Sequence, residues 1–322
     1  MVEKYGDYIE KISKETGFIQ STLEKVERLI RVLEWLNSDI QLNKLLALKG
    51  GTAINTAIFN FPRLSVDIDL DLTENLKKEE IIKERENIYN LFVNYLNANN
   101  YKIDTKKSKN TYALDSIVAE YVDIKGNIDN IKIEINYMNR VHILETKRIK
   151  VSTDVFKDKN LTIHCIHPIE IYAAKLCALL SRTTARDLFD VYTLSKYNLF
   201  DEDEKKLLKQ CFMLEFIAIN DYKLKDMRIE NIEKIKKQDI KTKLLPTLKD
   251  RNPRNNDVNE MKQAVKKYLK DILVVDDNIK EFYVKFQKGI YEPELIFADK
   301  ELIERIKDHP MIMWKLNNNK MN

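Results

Sequence analysis

Three aspartates alternate with apolar residues in one short stretch of the chain. The stretch Ser65–Leu72 reads Ser-Val-Asp-Ile-Asp-Leu-Asp-Leu, and a strand there has one apolar and one polar face because strand side chains alternate. The polar face carries Asp67, Asp69 and Asp71. Aspartate is disfavoured in strands, and carboxylates about 7 Å apart repel each other unless a cation lies between them. The pattern predicts a divalent-metal site, with an exposed, solvated strand face as the alternative.

The ligand type indicates which metal such a strand would bind. Carboxylate oxygens are hard ligands, which suit Mg²⁺ or Mn²⁺. Asp67 and Asp69, with one carboxylate from a neighbouring strand, can hold two ions about 4 Å apart for a phosphoryl transfer. Glu134 lies on the polar face of another alternating segment and is the candidate third ligand, although a solvated glutamate fits nearly as well. Asp71 competes for the same role.

A pair of glycines precedes the acidic stretch. Gly50 and Gly51 lie between an apolar run and a predicted helix, and Thr52 follows them 15 residues before Asp67. Such a turn lets backbone N–H groups and a helix N-terminus meet phosphate oxygens, with the threonine hydroxyl beside them. A plain tight turn explains the glycines equally well, so the prediction of phosphate binding depends on the nearby aspartates.

A predicted helix that begins at Pro168 carries two cations on one face. Lys175 and Arg182 are seven residues apart, so they lie on the same side of a helix that reaches Arg182. They are suited to neutralise a triphosphate, and two solvated surface cations are the alternative. Thr184 and Asp187 then have the spacing of a helix-capping box. Asp187 is therefore either a cap or part of an active site.

The elements that must position these residues form two regions. Helical spacing predicts one or two amphipathic helices over residues 2–35, and strict alternation predicts a strand over residues 63–72. Further strands and a mixed sheet follow, whereas the chain after Pro168 is mainly helical. We predict an α+β protein with two domains, 1–165 and 166–322, and a loop or hinge at about 245–257.

The composition excludes several classes of protein. With 44% hydrophobic and 33% charged residues the chain can bury a core, and its net charge of +4 is too small for a dominant long-range attraction to nucleic acid. The stretch after Met1 lacks the apolar h-region of a secretory signal, and no apolar run is long enough to span a membrane, so we expect an unsecreted protein. Three cysteines without a Cys-x-x-Cys pair argue against disulfides and zinc ribbons. We expect a cytoplasmic protein with no membrane partner.

A basic stretch over Lys223–Lys243 contains eight lysines and arginines. Such a stretch can follow an RNA backbone. Asp226, Glu230 and Glu233 interrupt it, so a solvated helix face is the favoured interpretation.

Four ordered motifs between about residues 44 and 195 resemble those of one family. They are Lys49–Thr52, Arg63–Asp69, Ala174–Lys175 with Arg182, and Arg186–Asp190. Together they strongly resemble the AbiEii/AbiGii toxin family, which includes the MenT toxins. The tail His309–Lys315 also looks like the usual ending of that family.

The resemblance implies a fold and a function. The fold is a polymerase-β-like nucleotidyltransferase core with a mixed sheet, followed by a mainly helical C-terminal domain. The implied function is that of the toxin in a two-gene toxin–antitoxin or abortive-infection system. Family members are similar to enzymes that transfer NMP from an NTP, some of them to the 3′ end of tRNA, which blocks aminoacylation and stops translation. The implied partners are an NTP, an RNA acceptor, Mg²⁺ and a cognate antitoxin.

The resemblance also implies roles for individual residues by matched position. The implied nucleotide-binding set is Gly50, Gly51, Thr52, Ser65, Lys175 and Arg182. The implied catalytic set is Asp67, Asp69, Lys175 and Asp187, in which the first two bind the metals and the last two complete the active site between the domains. Gly-Gly-Thr stands here where many members of the wider superfamily have Gly-Ser.

Two other functions agree with the same residues. One is transfer of NMP to a protein hydroxyl or to a small molecule such as an antibiotic. The other is a catalytically idle module that binds an NTP or RNA and acts by occupancy. Both functions would use the acidic strand and the glycines. A labelled NTP distinguishes them, because the first function transfers label to a protein or small molecule and the second transfers none.

Overall fold

The computed structural model describes residues 2–151, 155–156 and 161–319. The chain forms two compact units, which we describe separately. Unit 1 contains Met1–Arg140, Thr146–Ile166 and Pro246–Asp250, and unit 2 contains Val141–Glu145, His167–Leu245 and Arg251–Asn322. The main change of unit, at residues 166 and 167, lies one residue from the predicted domain boundary. Two short segments, 141–145 and 246–250, lie in the unit opposite to the one predicted.

Unit 1 begins with two helices rather than one. They are α1, Val2–Thr16, and α2, Gln20–Ser38. The break follows from Gly17, whose φ of +79° lies in the left-handed region that glycine adopts without steric cost. One face of α2 is buried and packs against the sheet of unit 1. The other helices of this unit are α3, Ile40–Leu45, α4, Gly50–Thr52, which continues as a π-helical turn over Ala53–Ile58, and α5, Lys78–Ala98.

The described residues of unit 1 form an eight-stranded mixed sheet. Its strands are β1, Leu46–Lys49; β2, Asp67–Leu72; β3, Lys102–Ile103; β4, Lys109–Asn110; β5, Leu114–Val122; β6, Ile128–Asn136; β7, Lys147–Lys150; and β8, Thr162–Cys165. The order is β3-β5-β6-β2-β1-β8-β7, with β4 paired to β5. The β2–β6 and β1–β8 pairs are parallel and the other pairs antiparallel, which confirms the predicted mixed sheet.

The acidic strand is shorter than the alternation indicated. It begins at Asp67 and not at Arg63. The backbone N–H of Leu64 donates to the carbonyl of Thr247 at 2.8 Å, so this part of the chain is bound to the segment Pro246–Asp250 and not to a neighbouring strand. The prediction of a strand over residues 63–66 was wrong: Arg63, Leu64 and Ser65 are all buried in a loop, whatever their polarity.

The described part of unit 2 is mainly helical, as predicted. Its helices are α6, Pro168–Arg182; α7, Ala185–Tyr197; α8, Glu202–Leu214; α9, Lys237–Asp239; α10, Val258–Ile272; α11, Asp277–Gln287; α12, Lys300–Ile306; and α13, Pro310–Asn319. Helix α6 packs against α7 and α8, and α10 packs against α7. Proline at the first position of α6 confirms the predicted start of that helix.

The basic stretch of unit 2 differs from the predicted helix face. It consists of 3₁₀ turns over Leu224–Asp226 and Ile229–Lys234, the short α9 and a π turn over Ile240–Leu244. Ile232, which lies in this irregular segment, is buried.

No helix of the described residues has both the length and the apolar character required to cross a lipid bilayer.

Candidate active site

The paired glycines lie against the acidic strand. Gly50 has a φ of +69°, and a Cβ placed on it would lie 2.5 Å from the Oδ2 atom of Asp69. A Cβ on Gly51 would lie 2.9 Å from Nη2 of Arg63 and 3.0 Å from Oγ of Ser65. A Cβ at Gly50 would displace the Asp69 carboxylate, and a Cβ at Gly51 would displace the Arg63 guanidinium and the Ser65 hydroxyl. At Gly50 the backbone conformation also favours glycine.

The register of the sheet explains why these groups meet. Strand β1 pairs with β2 in antiparallel orientation, which places Lys49 opposite Asp69, and the next residue, Gly50, begins the helix. The hydroxyl of Thr52 donates to the backbone carbonyl of Asp67. Thr52 is buried, so its hydroxyl joins the helix to the acidic strand.

Two carboxylates of neighbouring strands lie side by side on the polar face. Strand β6 runs parallel to β2, with Glu134 opposite Asp69 and Lys132 opposite Asp67. The side chains of Asp67, Asp69 and Glu134 are partly exposed. The ammonium of Lys132 lies 2.8 Å from Oε1 of Glu134. The register therefore brings the predicted third carboxylate to the acidic strand together with a lysine.

Lys132 contributes positive charge beside the acidic strand. The sequence analysis had expected only a metal ion to supply that charge. Partial burial acts to lower the pKa of Lys132, yet this pKa is raised above its usual value. The hydrogen bond to Glu134 and the negative charges of Asp67 and Asp69 outweigh burial. The acidic face is thus partly neutralised by the chain itself. The available sequence signal was that Lys132 alternates onto the same face as Glu134.

Asp71 has a different environment from the other two aspartates. It is 1% exposed, forms an ion pair with Lys49 and accepts a hydrogen bond from Nδ2 of Asn139 at 3.0 Å. A carboxylate with these partners connects neighbouring segments of unit 1. Its burial and its ion pair make Asp71 a poorer candidate than Glu134 for the third metal ligand.

The donor set matches Mg²⁺ bound together with a nucleotide. No group of three or more Asp, Glu, His or Cys side chains suited to hold an ion occurs among the described residues. Mg²⁺ at phosphoryl-transfer sites is commonly held by one or two carboxylates, with water and substrate phosphates completing its octahedron. Asp67 and Asp69 fit that arrangement, whereas Glu134 already shares its Oε1 atom with Lys132.

Unit 2 contains a buried ionic cluster around Lys175. Its ammonium lies 2.8 Å from Oδ1 of Asp187 and 3.0 Å from Oδ2 of Asp190, and all three residues are less than 8% exposed. Arg182 donates from Nε and Nη2 to the two oxygens of Asp187 at 2.7 and 2.9 Å. Helix α6 does reach Arg182, and the cation pair on its face converges on one carboxylate.

Asp187 is part of the junction between α6 and α7. Thr184 is the N-cap of α7; its hydroxyl accepts from the Asp187 N–H at 3.3 Å and donates to Oδ2 of Asp187 at 2.7 Å. Burial alone would raise the pKa of Asp187, but the charges of Lys175 and Arg182 hold this pKa well below its usual value. A carboxylate held so firmly in its ionised form is a poor proton acceptor. Its contacts hold the side chains of Lys175 and Arg182 in place.

Sequence reasoning assigned no role to two residues that contact these sites. Asp190 is the second carboxylate on Lys175, and its position three residues after Asp187 on one helix places both on the same side. Arg63 is 2% exposed, lies beside Gly51 and donates to the carbonyl of Leu64 at 3.0 Å. Both residues lie inside the quoted motifs, which was the available signal.

Comparisons with known proteins agree with this geometry. Residues 31–285 match the family model described as nucleotidyl transferase AbiEii toxin, type IV toxin–antitoxin system. No curated protein sequence matches significantly. Among solved structures, the nucleotidyltransferase toxin MenT4 from Mycobacterium tuberculosis H37Rv is similar, with a TM-score of 0.61 and 13% sequence identity over 95% of this chain and 98% of that chain.

The structural similarity confirms the predicted fold class, a mixed α/β core followed by a helical C-terminal region. At 13% identity it shows the fold and not the substrate. The family match covers most of the chain and confirms the resemblance that the four motifs indicated. The chain therefore belongs to the AbiEii family of nucleotidyltransferase toxins of type IV toxin–antitoxin systems.

Proposed function

We propose that this toxin transfers NMP from an NTP to the 3′-hydroxyl of an RNA, the 3′ end of tRNA, in a reaction that requires Mg²⁺ or Mn²⁺. The modified tRNA cannot be aminoacylated, so translation stops in the cytoplasm, and a cognate antitoxin counteracts the effect in a phage-defence or abortive-infection setting. The observation that carries the proposal is the approach of Asp69 to Gly50, with Ser65 beside Gly51.

The proposed reaction is an in-line displacement. The 3′-hydroxyl oxygen forms a bond to the α-phosphorus, the bond from that phosphorus to the pyrophosphate oxygen breaks, and the hydroxyl proton leaves to solvent. When bound, the metal supplies charge stabilisation for the attacking and leaving oxygens. Asp67 and Asp69 hold it in this proposal, with Glu134 as the candidate third ligand.

The remaining residues have binding roles in this proposal. The backbone at Gly50, Gly51 and Thr52, with the Ser65 hydroxyl, contacts the triphosphate. Lys175 and Arg182 supply positive charge, and Asp187 keeps both cations in a fixed orientation. Preorganised cations of this kind stabilise developing charge without reorganisation during the reaction.

Labelled nucleotides test the proposal directly. The purified protein is incubated with each α-labelled NTP, Mg²⁺ and total tRNA, and we expect label in the RNA. Asp67→Asn and Asp69→Asn should each lower the rate by at least about a hundredfold. Asp7→Asn, which changes an exposed aspartate of unit 1, should leave the rate unchanged. A loss with Glu134→Gln as large as that with Asp67→Asn would support Glu134 as a ligand.

Other outcomes of the same assay identify the alternative functions. Label on protein or on a small solute, with none on RNA, would replace the RNA acceptor by one of those classes. Growth arrest that persists when an Asp67→Asn, Asp69→Asn double variant is expressed in cells would contradict catalysis and favour an idle binding module.

A further inference from the structure

Unit 2 contains an open pocket of about 490 Å³ that no catalytic role accounts for. We call it the basic pocket and define it by Ser181, Tyr222, Lys225, Arg228, Asn231 and Lys234. Ser181 belongs to the last turn of α6, Tyr222 immediately precedes the irregular segment that replaces the predicted basic helix, and the others belong to that segment. The short turns of this segment thus direct several of its cations to one place.

The three cations of the basic pocket have no carboxylate partner among the described residues. Lys225, Arg228 and Lys234 are exposed. Arg228 donates to the carbonyl of Lys225 at 2.7 Å and Lys234 to Oδ1 of Asn231 at 2.9 Å, both uncharged acceptors. Other lysines near this segment are neutralised: Lys262 and Lys266 both pair with Glu233. Cations that form no ion pair and outnumber the carboxylates around one concave surface are suited to bind an anion.

Asn231 holds the pocket together. Its Nδ2 atom donates to the carbonyl of Leu180 at 3.1 Å and to that of Asp226 at 3.3 Å. The first bond ties the irregular segment to the C-terminal end of α6, and its Oδ1 atom positions Lys234. Asp226 also lines the pocket, and its carboxylate offsets one of the three positive charges. The pocket is therefore a fixed feature of unit 2 with an excess of positive charge, although its cationic side chains are exposed.

An aromatic side chain lines the same pocket. The ring of Tyr222 packs on the buried Phe216, with 5.1 Å between the ring centroids. The backbone N–H of Tyr222 also donates to the carbonyl of Phe216 at 2.9 Å. A supported, partly exposed tyrosine next to such cations is the combination with which proteins bind single-stranded nucleic acid: the ring stacks on a base and the cations contact phosphates.

We propose that the basic pocket binds a single-stranded segment of the acceptor RNA. Lys225, Arg228 and Lys234 contact backbone phosphates, and Tyr222 stacks on an unpaired base. Ser181 immediately precedes Arg182, so α6 contributes both to the lining of the pocket and to the cluster around Lys175. The assignment of the RNA as an acceptor rests on the proposed nucleotidyl transfer, whereas RNA binding itself does not.

Binding measured without catalysis tests this assignment. The full-length protein is titrated, with EDTA and without NTP, into a fluorescently labelled single-stranded RNA of about 12 nucleotides. A Lys225→Gln, Arg228→Gln, Lys234→Gln variant should bind at least about tenfold more weakly. It should also reduce the slope of log K against log salt by about 2, since each phosphate contact contributes about 0.7.

The matched control removes the same charge from the same segment. It is Lys223→Gln, Lys237→Gln, Lys241→Gln, three exposed lysines that do not line the pocket. It should change affinity by less than about threefold. Tyr222→Phe should keep the affinity and Tyr222→Ala should lower it about fivefold or more. Unfolding midpoints of the charge variants should match that of the wild type because all six side chains are exposed.

Three results would overturn the assignment. They are an absence of saturable binding by the wild type, equal losses in the pocket and control variants, and complete displacement of the RNA by an NTP at the affinity of the NTP site. Pocket-dependent RNA binding by a protein that transfers no label would instead overturn only the proposed reaction, so the two failures are distinguishable.

Discussion

At the scale of single residues, the candidate site is defined by short distances between the acidic side chains and their neighbours. Asp69 lies where any side chain on Gly50 would collide with it, and Lys132 lies where it lowers the repulsion among three carboxylates. Both features depend on groups that are partly exposed and able to bind a ligand. Substitutions of Gly50 and Lys132 distinguish the effects of these two residues on the site from effects on the stability of the fold.

The first prediction concerns Gly50. Gly50→Ala should abolish nucleotidyl transfer, with a loss of at least about a hundredfold, because the new Cβ displaces the Asp69 carboxylate. Gly126→Ala is the matched control: Gly126 also has a positive φ, +85°, but nothing lies within 4 Å of the point that its new Cβ would occupy. Each should cost about 1 kcal/mol of stability from backbone strain. Equal activity of the two variants in initial-rate assays would contradict the role of Gly50.

The second prediction concerns Lys132. Lys132→Gln should increase Mg²⁺ affinity severalfold, since removal of one nearby positive charge is worth about 1 kcal/mol at a partly exposed site. Mg²⁺ should also raise the thermal unfolding midpoint of this variant more than that of the wild type. Lys147→Gln, an exposed lysine of β7, is the control. An unchanged Mg²⁺ titration for Lys132→Gln would show that this lysine does not act on the metal site.

At the scale of elements, the junction of α6 and α7 depends on one carboxylate. Asp187 joins Lys175 and Arg182 of the first helix to the cap of the second. Both the predicted cap spacing and the predicted pairing of cations on α6 occur there. The Asp187 side chain contacts both the cap and the cations, so the cap does not exclude the active-site role, which stays a prediction.

The third prediction concerns the pH dependence of this junction. The folded-state pKa of Asp187 lies below its unfolded value of about 3.9, so its stabilisation is present above that pH and is lost as the pH falls through the folded pKa. Asp187→Asn should destabilise the protein by about 3 kcal/mol at pH 7, because it leaves Lys175 buried with less negative charge.

Urea unfolding at several pH values checks the third prediction. The difference between wild type and Asp187→Asn should narrow below about pH 4, where the wild-type carboxylate loses its advantage. Asp271→Asn, an exposed carboxylate of α10, should change stability by no more than about 0.5 kcal/mol. A constant difference from pH 7 into the acid range would exclude ionised Asp187 as the source of the stabilisation.

At the scale of the whole molecule, each unit is built from separate pieces of chain. The segment Pro246–Asp250 belongs to unit 1 although its neighbours in sequence belong to unit 2. Its Thr247 carbonyl accepts from Leu64, and the Lys249 ammonium lies 5.4 Å from the centre of the Phe18 ring. The predicted loop at residues 245–257 is therefore partly a structural component of unit 1.

The fourth prediction concerns fragments of the chain. Residues 1–166 expressed alone should be less stable than the same unit in the full protein. In the fragment, the Leu64 N–H lacks the Thr247 carbonyl as its acceptor, and the Phe18 ring lacks its contact with the Lys249 ammonium. Co-expression with residues 167–322, which carry the missing segment, should restore soluble material. Thermal unfolding measures the difference, and a fragment as stable as unit 1 in the full chain would show that the segment is dispensable.

Local patterns in the sequence predicted much of the fold and the residue types of the site. The alternation of β2, the Pro168 start of α6 and the spacing of Lys175 and Arg182 depend on residues near one another in the chain, so backbone periodicity was enough to identify them. The strand start at Arg63 and the basic helix at Lys223–Lys243 were wrong because tertiary contacts, such as that of Leu64 with Thr247, overrode the local pattern.

By itself, then, the sequence determined that an acidic strand, a glycine pair and a cation-bearing helix exist, and which family they belong to. Only the tertiary structure decided which charges neutralise one another: Lys49 pairs with Asp71, Lys132 with Glu134, and Asp190 joins Asp187 at Lys175. The first of these pairings depends on strand register and the third on helix packing. Electrostatic energy depends on distances between atoms, and for groups on different elements no periodicity along the chain encodes those distances.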